Sequence, residues 1–577
     1  MGFNAAPQTT ALSHQDLSPP ATVAPKSSRS FSSAWIALTV GLLALVLFLR
    51  KPDSLLNPQF WAEDAVFFLE AYDHGLWWTL LRPTAGYLNT FPRLVAGLAA
   101  LLPLRAAPLI FNLAAFVIQM LPVIYLLGER LGRWIPDRRL RVVVALVYVT
   151  VPNSYETYVI LDNSQWNLAL SGLLLLAADS PQGRWGRAGD LLLLALFSCT
   201  GPFSVILLPL ALLNLRRQRI GAQRTWFAIQ AAVVTAGAAT QIFFLLTSER
   251  QTSADVVWPT VQEWLQILST HILFNSLLGM RGTIRFSSAL TLVLQLSGLV
   301  LTALLAIFVL RRRNRPLLWL LYLAGATICS SLLFTTSPRT QWLWPDFGLR
   351  YYTFASLFVL CAIVQLCAQG GRLRPLGALL ALPVLGVAIP GDFAHPGDYT
   401  DPRRPDTHYA DQIAVFESLP SGASFYIPTQ PDGWGGFVLR KNTTQRAAHP
   451  LDGLRKVDVA PASSLDLPST IAGGPGGKEP YVHFSGWATD TSAKETPGGV
   501  WLEIDGRLFP AVTGVENAVA GMHQHYRNAG FYRDIPLSEL GAGTHRHSLI
   551  VLTHDRKGYF RMPPREFTIQ KRNPPNP

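Results

Sequence analysis

A polytopic α-helical membrane domain followed by an all-β sandwich domain is the architecture this sequence predicts. Three observations predict it. Apolar runs of spanning length recur from residue 34 to about 390, and short arginine-rich links separate them. Beyond about residue 405 the runs give way to short alternating segments between Gly-rich turns. The chain has 577 residues, 49% of them hydrophobic, with a mean hydropathy of +0.25. That is too apolar for an ordinary globular protein and too long for one domain. The net charge of +12 implies no nucleic acid, because the arginines cluster in the links, where the positive-inside rule places them beside membrane lipid.

Residues 1–33, rich in Pro, Ser and Thr, read as a disordered cytoplasmic tail. They lack a compact charged start and a small-residue cleavage site, so the first apolar run is a retained helix. The membrane domain covers 34–390, with eleven spans at about 34–50, 106–128, 141–160, 165–179, 189–200, 202–215, 225–247, 288–310, 316–335, 351–369 and 375–390. The fifth and sixth are short and read as a bent pair around Cys199-Thr200-Gly201-Pro202.

With the N-terminus inside, every arginine-rich link falls on the cytoplasmic side, provided that 87–103 does not cross. Its Asn89, Pro92, Arg93 and Pro103 suit a helix lying at the interface. The first outer loop is then 51–105, carrying two interfacial helices. Further outer regions are 155–164, 248–287 and 336–350, whose Trp342 and Trp344 fit a headgroup-level belt. His74, His271 and Glu263 read as surface residues of these outer regions.

The four cysteines (Cys199, Cys329, Cys361, Cys367) lie in apolar segments and form neither a disulfide framework nor a zinc-ligand spacing. A linker rich in Pro, Asp and Gly spans 391–410. Residues 411–577 form an extracytoplasmic β-sandwich, in which 481–488, 499–508, 531–536 and 547–553 alternate as strands and Asp505-Gly506 marks a tight turn. A structural or shielding role and a glycan-binding role are both open for it.

The stretch Gln59-Phe60-Trp61-Ala62-Glu63-Asp64-Ala65-Val66-Phe67-Phe68 places adjacent acids among aromatic residues. On a helical wheel Asp64 falls on one arc with Phe60, Trp61, Phe67, Phe68 and Ala71, whereas Glu63, Glu70 and Asp73 fall opposite. An acid on a buried arc needs a cation, a donor or a catalytic task. Three other outer features converge with it: Arg82, Asp162 beside Gln165, and Arg350-Tyr351. Asp162 with Gln165 also suits a helix cap, and both arginines suit headgroup anchors. Acids beside arginines at a membrane surface suit a phosphate-bearing lipid. The guanidinium groups bind phosphate oxygens, while the carboxylates hold a divalent metal or take a proton from an attacking hydroxyl.

In these residues the chain resembles the GT-C-type glycosyltransferases, and among them protein O-mannosyltransferases, lipid A aminoarabinose transferases and their bacterial relatives. Glu63-Asp64 matches the family's first-loop acidic pair, although many relatives read Asp-Glu. Arg82-Pro83-Thr84-Ala85-Gly86-Tyr87 resembles their basic-Pro-x-Ala-Gly-Tyr segment, Asp162 their second acidic site, and Arg350-Tyr351 their basic-aromatic helix entry. Thr200-Gly201-Pro202 is similar to a Thr-Lys-Gly turn without its lysine.

The resemblance covers about 30–390. It implies inverting transfer of a sugar from a polyprenyl-phosphate donor to a glycan, lipid or protein acceptor on the outer face of the cytoplasmic membrane. It further implies Asp64 as catalytic base with Glu63 as helper, Asp162 as a second catalytic acid, and Arg82, Tyr87, Arg350 and Tyr351 at the donor phosphate. A divalent metal at Asp64 and Asp162 varies within the family. A transporter or flippase of lipid-linked glycans and an envelope scaffold are the competing readings.

Overall fold

The computed structural model describes residues 33–217, 221–248, 260–287, 292–333, 347–369, 371–394, 406–418, 424–430, 436–440, 451, 454–457, 463–466, 469–471, 481–515, 529–555 and 557–569. Residues 1–32 of the expected 1–33 tail and the belt tryptophans 342 and 344 lie outside these residues, and Ser33 already belongs to the first helix.

The helices run in order α1 (Ser33–Arg50), α2 (Asp53–Leu56), α3 (Asp64–His74), α4 (Leu76–Leu80), α5 (Thr90–Ala99), α6 (Ala107–Leu127), α7 (Arg138–Val149), α8 (Ser164–Ala177), α9 (Arg184–Ser198) and α10 (Phe203–Arg217). They continue with α11 (Ala222–Thr247), α12 (Val261–Ile267), α13 (Asn275–Ser287), α14 (Leu292–Arg312), α15 (Arg315–Leu333), α16 (Thr353–Gln369), α17 (Arg374–Pro383), α18 (Ile389–Ala394) and α19 (Tyr409–Ser418). Among the described residues, seven helical stretches are long and apolar enough to cross a membrane: 33–50, 104–127, 223–247, 292–312, 315–332, 349–369 and 371–394.

Four expected spans fall on helices shorter than the ~20 residues of a straight crossing: α7, α8, α9 and α10, of 12, 14, 15 and 15 residues. Helix α8 has 14 residues, of which all but Leu174 are buried, so its apolar character serves protein packing on every side. The segment expected to span at 141–160 departs further: α7 has 12 residues and ends at Val149. Pro152 lacks a backbone donor and disfavours helix in the residue before it. The chain beyond turns through Asn153 and Val159, both at positive φ, and buries Tyr158, Val159, Ile160 and Leu161. An apolar run reads alike whether it faces lipid or protein, and here it faces protein.

This inward loop is pinned by Arg50 at the end of α1. Its guanidinium donates to the carbonyls of Val149 (3.2 Å) and Val151 (2.7 Å), pairs with Asp392 of α18 at 2.6 Å, and lies 4.1 Å from the Tyr158 ring. The same Asp392 oxygen accepts from the Asn153 backbone N–H. The expected linker therefore begins later than residue 391, because α18 extends the preceding helical stretch to Ala394 and carries Asp392.

The first loop holds four short helices rather than two. Helix α5, with 10 residues, is too short to cross, and it buries Arg93 against Glu70 of α3 at 2.5 Å. Helices α9 and α10 form the expected bent pair. Within the expected outer region 248–287, residues 260–287 form α12, a π-helical segment (Leu268–Phe274) and α13, packed on α14 and α16. His271 is consequently buried, stacked 4.3 Å from the Tyr352 ring, rather than on the surface. Glu263 closes a capping box with Thr260, and His74 is exposed.

The C-terminal region is a β-sheet unit. Strands β1 (Pro83–Thr84) and β2 (Tyr87–Leu88) belong to the first loop. Strands β3 (Ser424–Pro428) and β4 (Gly436–Arg440) form a hairpin. The remaining strands are β5 (Arg455–Lys456), β6 (Ser463–Leu465), β7 (Ser469–Ile471), β8 (Tyr481–Ala488), β9 (Gly499–Ile504), β10 (Arg507–Val515), β11 (Gly530–Pro536), β12 (Gly543–Leu552), β13 (Gly558–Arg561) and β14 (Arg565–Ile569).

They form one hydrogen-bonded path, β5-β13-β12-β9-β10-β11-β8-β6, with β14 on β12 and β7 on β8. Strand β10 joins the two halves: residues 507–511 pair with β9 and 512–515 with β11. Asp505 (φ 49°) and Gly506 (φ 79°) make the two-residue turn with both central φ angles positive that suits a twisted hairpin. Alternate residues Val500, Leu502 and Ile504 of β9 meet Phe484, Phe531, Leu549 and Val551 in one core.

Candidate active site

The site is built at the start of α3. Ala62 is at φ 40° and Glu63 is the N-cap residue, so the chain turns sharply and delivers Asp64 into the protein. The wheel expectation holds within α3, where Asp64, Phe67, Phe68 and Ala71 are buried and Asp73 is exposed; buried Phe60 and half-buried Trp61 precede the helix rather than share its arc. Asp64 is 0% exposed. Its Oδ1 accepts the Asp162 backbone N–H at 2.8 Å, and Oδ2 has no hydrogen-bond partner among the described residues.

Asp162 lies at the end of the inward loop, with its carboxyl group close enough to that of Glu63 to share a proton with it. It does not cap α8; Asn163 occupies the cap position. Asn89 Nδ2 reaches Asp162 Oδ1 at 3.5 Å. Glu63, Asp64 and Asp162 thus form one group, as the sequence reading requires.

Burial dominates the electrostatics. It pushes the Asp64 carboxyl from 3.8 up to about 8, reinforced by the charge of Glu63 and opposed by the Asp162 N–H and by Lys51. Burial and the charges of Glu63 and Asp64 likewise hold the Asp162 carboxyl well above the usual carboxylate range, with Arg350 opposing. A carboxyl group of this kind gives and takes protons near neutral pH.

Arg350 faces this group from the entry to α16. Its side chain and backbone N–H both contact Glu156 Oε2, at 3.4 and 3.1 Å, and Nη2 donates to the Tyr351 hydroxyl at 3.3 Å. Tyr351 is held by Trp166 of α8 (5.7 Å), which packs on Phe203 of α10 and Phe354 of α16.

Tyr87 reaches the group through a hairpin. Ala85 (φ 52°) and Gly86 (φ 84°) form the two-residue turn between β1 and β2. Gln165 Nε2 donates to the Tyr87 hydroxyl at 3.2 Å, and burial beside Asp162 raises that hydroxyl's proton affinity. The hairpin is fastened to the Cys199–Gly201 turn: Gly201 N–H donates to Leu88 O, Thr90 N–H to Cys199 O, and Phe91 N–H to Thr200 Oγ1. Gln241 of α11 bonds both main-chain groups of Leu88.

Gly201 has φ 76°, and an added Cβ would stand 2.1 Å from Gln165 Oε1. Gly201→Ala is therefore expected to cost about 1–3 kcal/mol through backbone strain and overlap. Thermal unfolding of the purified protein in detergent measures this, and an unchanged midpoint contradicts the assignment.

Arg82 is not brought into the group. It is exposed, its guanidinium lies 3.8 Å from the Trp78 ring, and among the described residues no ion pair joins it to an acid. The chain matches no protein-family profile and no curated protein.

Sequence reasoning passed over Glu156 and Lys51, and read Asn89 only as an interfacial residue and Gln165 only as a capping partner. Lys51, the residue after α1, is buried and donates to Tyr158 O at 3.4 Å. The available signal was a set of polar residues inside otherwise apolar stretches, which in a membrane chain marks an interior contact. Among the described residues no three or more His, Cys, Asp or Glu side chains, these three acids included, stand in an arrangement that could hold a metal ion.

Proposed function

We propose that the chain is a GT-C-type membrane glycosyltransferase that moves a sugar from a polyprenyl-phosphate donor to a cell-envelope acceptor, with inversion. The observation that carries this reading is the dry Asp64 carboxyl, oriented by Asp162 and shared in a three-acid group that Arg350 faces. Asp64 takes the proton of the acceptor hydroxyl as that oxygen attacks the anomeric carbon. The bond from that carbon to the phosphate oxygen breaks, and the polyprenyl phosphate leaves with the electron pair. Arg350, with Tyr351 and Tyr87 beside it, meets the developing phosphate charge. Arg82, stacked on exposed Trp78, acts at most on the lipid or headgroup as it approaches.

The finer architecture belongs to this reading. Eleven crossings, with α7 to α10 completing the bundle, an extracytoplasmic β-sandwich and a cytoplasmic N-terminus together put the acid group on the outer face of the cytoplasmic membrane. Support for the orientation comes from the arginine-rich links. Arg130 with Asp190 and Arg133 with Asp179 bind such links to each other, apart from the acid group.

The deciding experiment incubates purified protein with a polyprenyl-phosphate sugar and measures released polyprenyl phosphate. Release that depends on acceptor supports transfer; intact donor moved across a vesicle membrane identifies a flippase instead. The pH dependence has a defined sign. Only deprotonated Asp64 accepts a proton, so kcat/KM is expected to rise with pH and level off near the Asp64 value of about 8. A profile already flat from pH 5 upward rules out Asp64 as the base.

A further inference from the structure

The C-terminal region does not sit beside the acid group as an independent unit. Its chain enters the turn that precedes Asp64. The Gln430 N–H donates to Phe60 O at 3.1 Å and the Ala62 N–H donates back to Gln430 O, a two-way backbone bridge between positions 370 residues apart in sequence order, give or take. Gln59 Oε1 receives the Thr407 N–H (2.9 Å), the Thr407 hydroxyl (2.8 Å) and Gln430 Nε2 (3.2 Å). Gln59 Nε2 donates to Asp406 Oδ1 at 2.5 Å, and Asn57 donates to Asp406 Oδ2 at 3.0 Å.

An aromatic cluster backs this network. Phe60 meets Phe68 of α3, Phe111 of α6, Tyr409 of α19 and Phe437 of β4 at ring distances of 5.0–5.7 Å. The Tyr409 hydroxyl donates to Leu104 O. The described end of the expected linker, 406–410, is thus docked on the first loop.

We propose that Gln59, Thr407 and Gln430 form a latch by which the C-terminal region positions the acid turn for catalysis. They are positioning residues, since none of them belongs to the acid group itself. This inference rests on the glycosyltransferase reading and gives the C-terminal region a task within it. Ala62 at φ 40° is a conformation that an alanine rarely adopts, and the bridge to Gln430 holds it there. Releasing the bridge lets the turn relax and withdraws Asp64 from the Asp162 N–H. Because the acid acts through its placement, a small displacement costs turnover more than donor binding.

The test uses the full chain with Gln59→Leu, Thr407→Val and the double variant. Each single change is expected to lower kcat by about 10–100-fold while donor KM stays within about twofold. Thr407→Val removes one bond, from the hydroxyl, of the set that Gln59→Leu removes whole, so the double variant is expected to lose much less than the product of the singles. Hydrogen–deuterium exchange provides a readout apart from activity: segment 59–68 loses protection in the variants, and segment 164–177 keeps it. Folded variants with wild-type kcat overturn the proposal, as do losses that simply multiply or that appear in KM alone. If wild-type protein releases no polyprenyl phosphate, the transfer reading and the positioning role fall together, whereas the exchange data still decide whether the latch exists.

Discussion

Asp64→Asn is expected to abolish sugar transfer while making the protein more resistant to heat at pH 8 and above. The loss follows from removing the proton acceptor, and a positioned general base contributes on the order of 10²–10⁴-fold. The gain follows from linkage. The folded protein holds the Asp64 carboxyl at about 8 against 3.8 for an ordinary aspartate. Below about pH 4 the group is protonated in both states and has no pH-dependent effect. Between those values the unfolded chain releases the proton and the folded chain keeps it, so stability declines as pH rises, by about 1.4 kcal/mol per unit. Above about pH 8 the whole penalty is in place.

Asparagine carries no such penalty, so its advantage should grow from acid to mildly alkaline pH and then level off. Thermal unfolding of both proteins between pH 5 and 9, with transfer assayed on the same samples, measures both effects. A variant that transfers sugar normally removes Asp64 from the mechanism. A variant destabilised equally at every pH removes the buried-acid account.

Arg50→Met is expected to be among the most damaging substitutions to stability, at about 3–5 kcal/mol. It leaves Asp392 without its cation and two backbone carbonyls, of Val149 and Val151, without their donor. The loop they belong to carries Glu156 and Asp162, so transfer should fall as well. Replacing both partners, Arg50→Met with Asp392→Leu, is expected to recover most of the stability, since an apolar pair avoids the cost of burying ions. Unfolding midpoints of the two single variants and the double variant decide this. A double variant no better than the worse single shows that the loop depends on more than the ion pair.

Legibility in the sequence followed the range of the forces involved. The burial of Asp64 was readable because its aromatic neighbours share one helical turn and the period of 3.6 residues sorts them. The hairpin around Asp505-Gly506 was readable for the same reason, since turn chemistry and strand alternation are local. The grouping of Glu63, Asp64 and Asp162 was anticipated from the arginine-rich links, which put their loops on one face, and from the order of motifs in the resemblance, while the residues between them carry no local sign of it.

Other features were hidden by distance. Arg50 at the end of an apolar run looks like a headgroup anchor, and only the folded chain brings Asp392 to it. Glu156 gives no hint that it contacts Arg350. His271 looked superficial because it falls in a link between apolar runs, yet the π-helical segment turns it onto Tyr352. Hydropathy also leaves the surroundings of an apolar run open: residues 158–161 are packed inside protein, and a composition-based reading has no means of separating that environment from lipid.

The backbone bridge between Ala62 and Gln430 bears on how this chain can be recombined with others. A chimera cut between the helical bundle and the β-sheet unit severs no covalent motif, but it exchanges one side of a fitted joint. A transplanted C-terminal half would have to bring partners for Asn57, Gln59 and Leu104, or import those three positions with it. Lineages that shuffle such halves should therefore change both sides of the seam together, and a graft that ignores it should yield a folded bundle with an idle catalytic end.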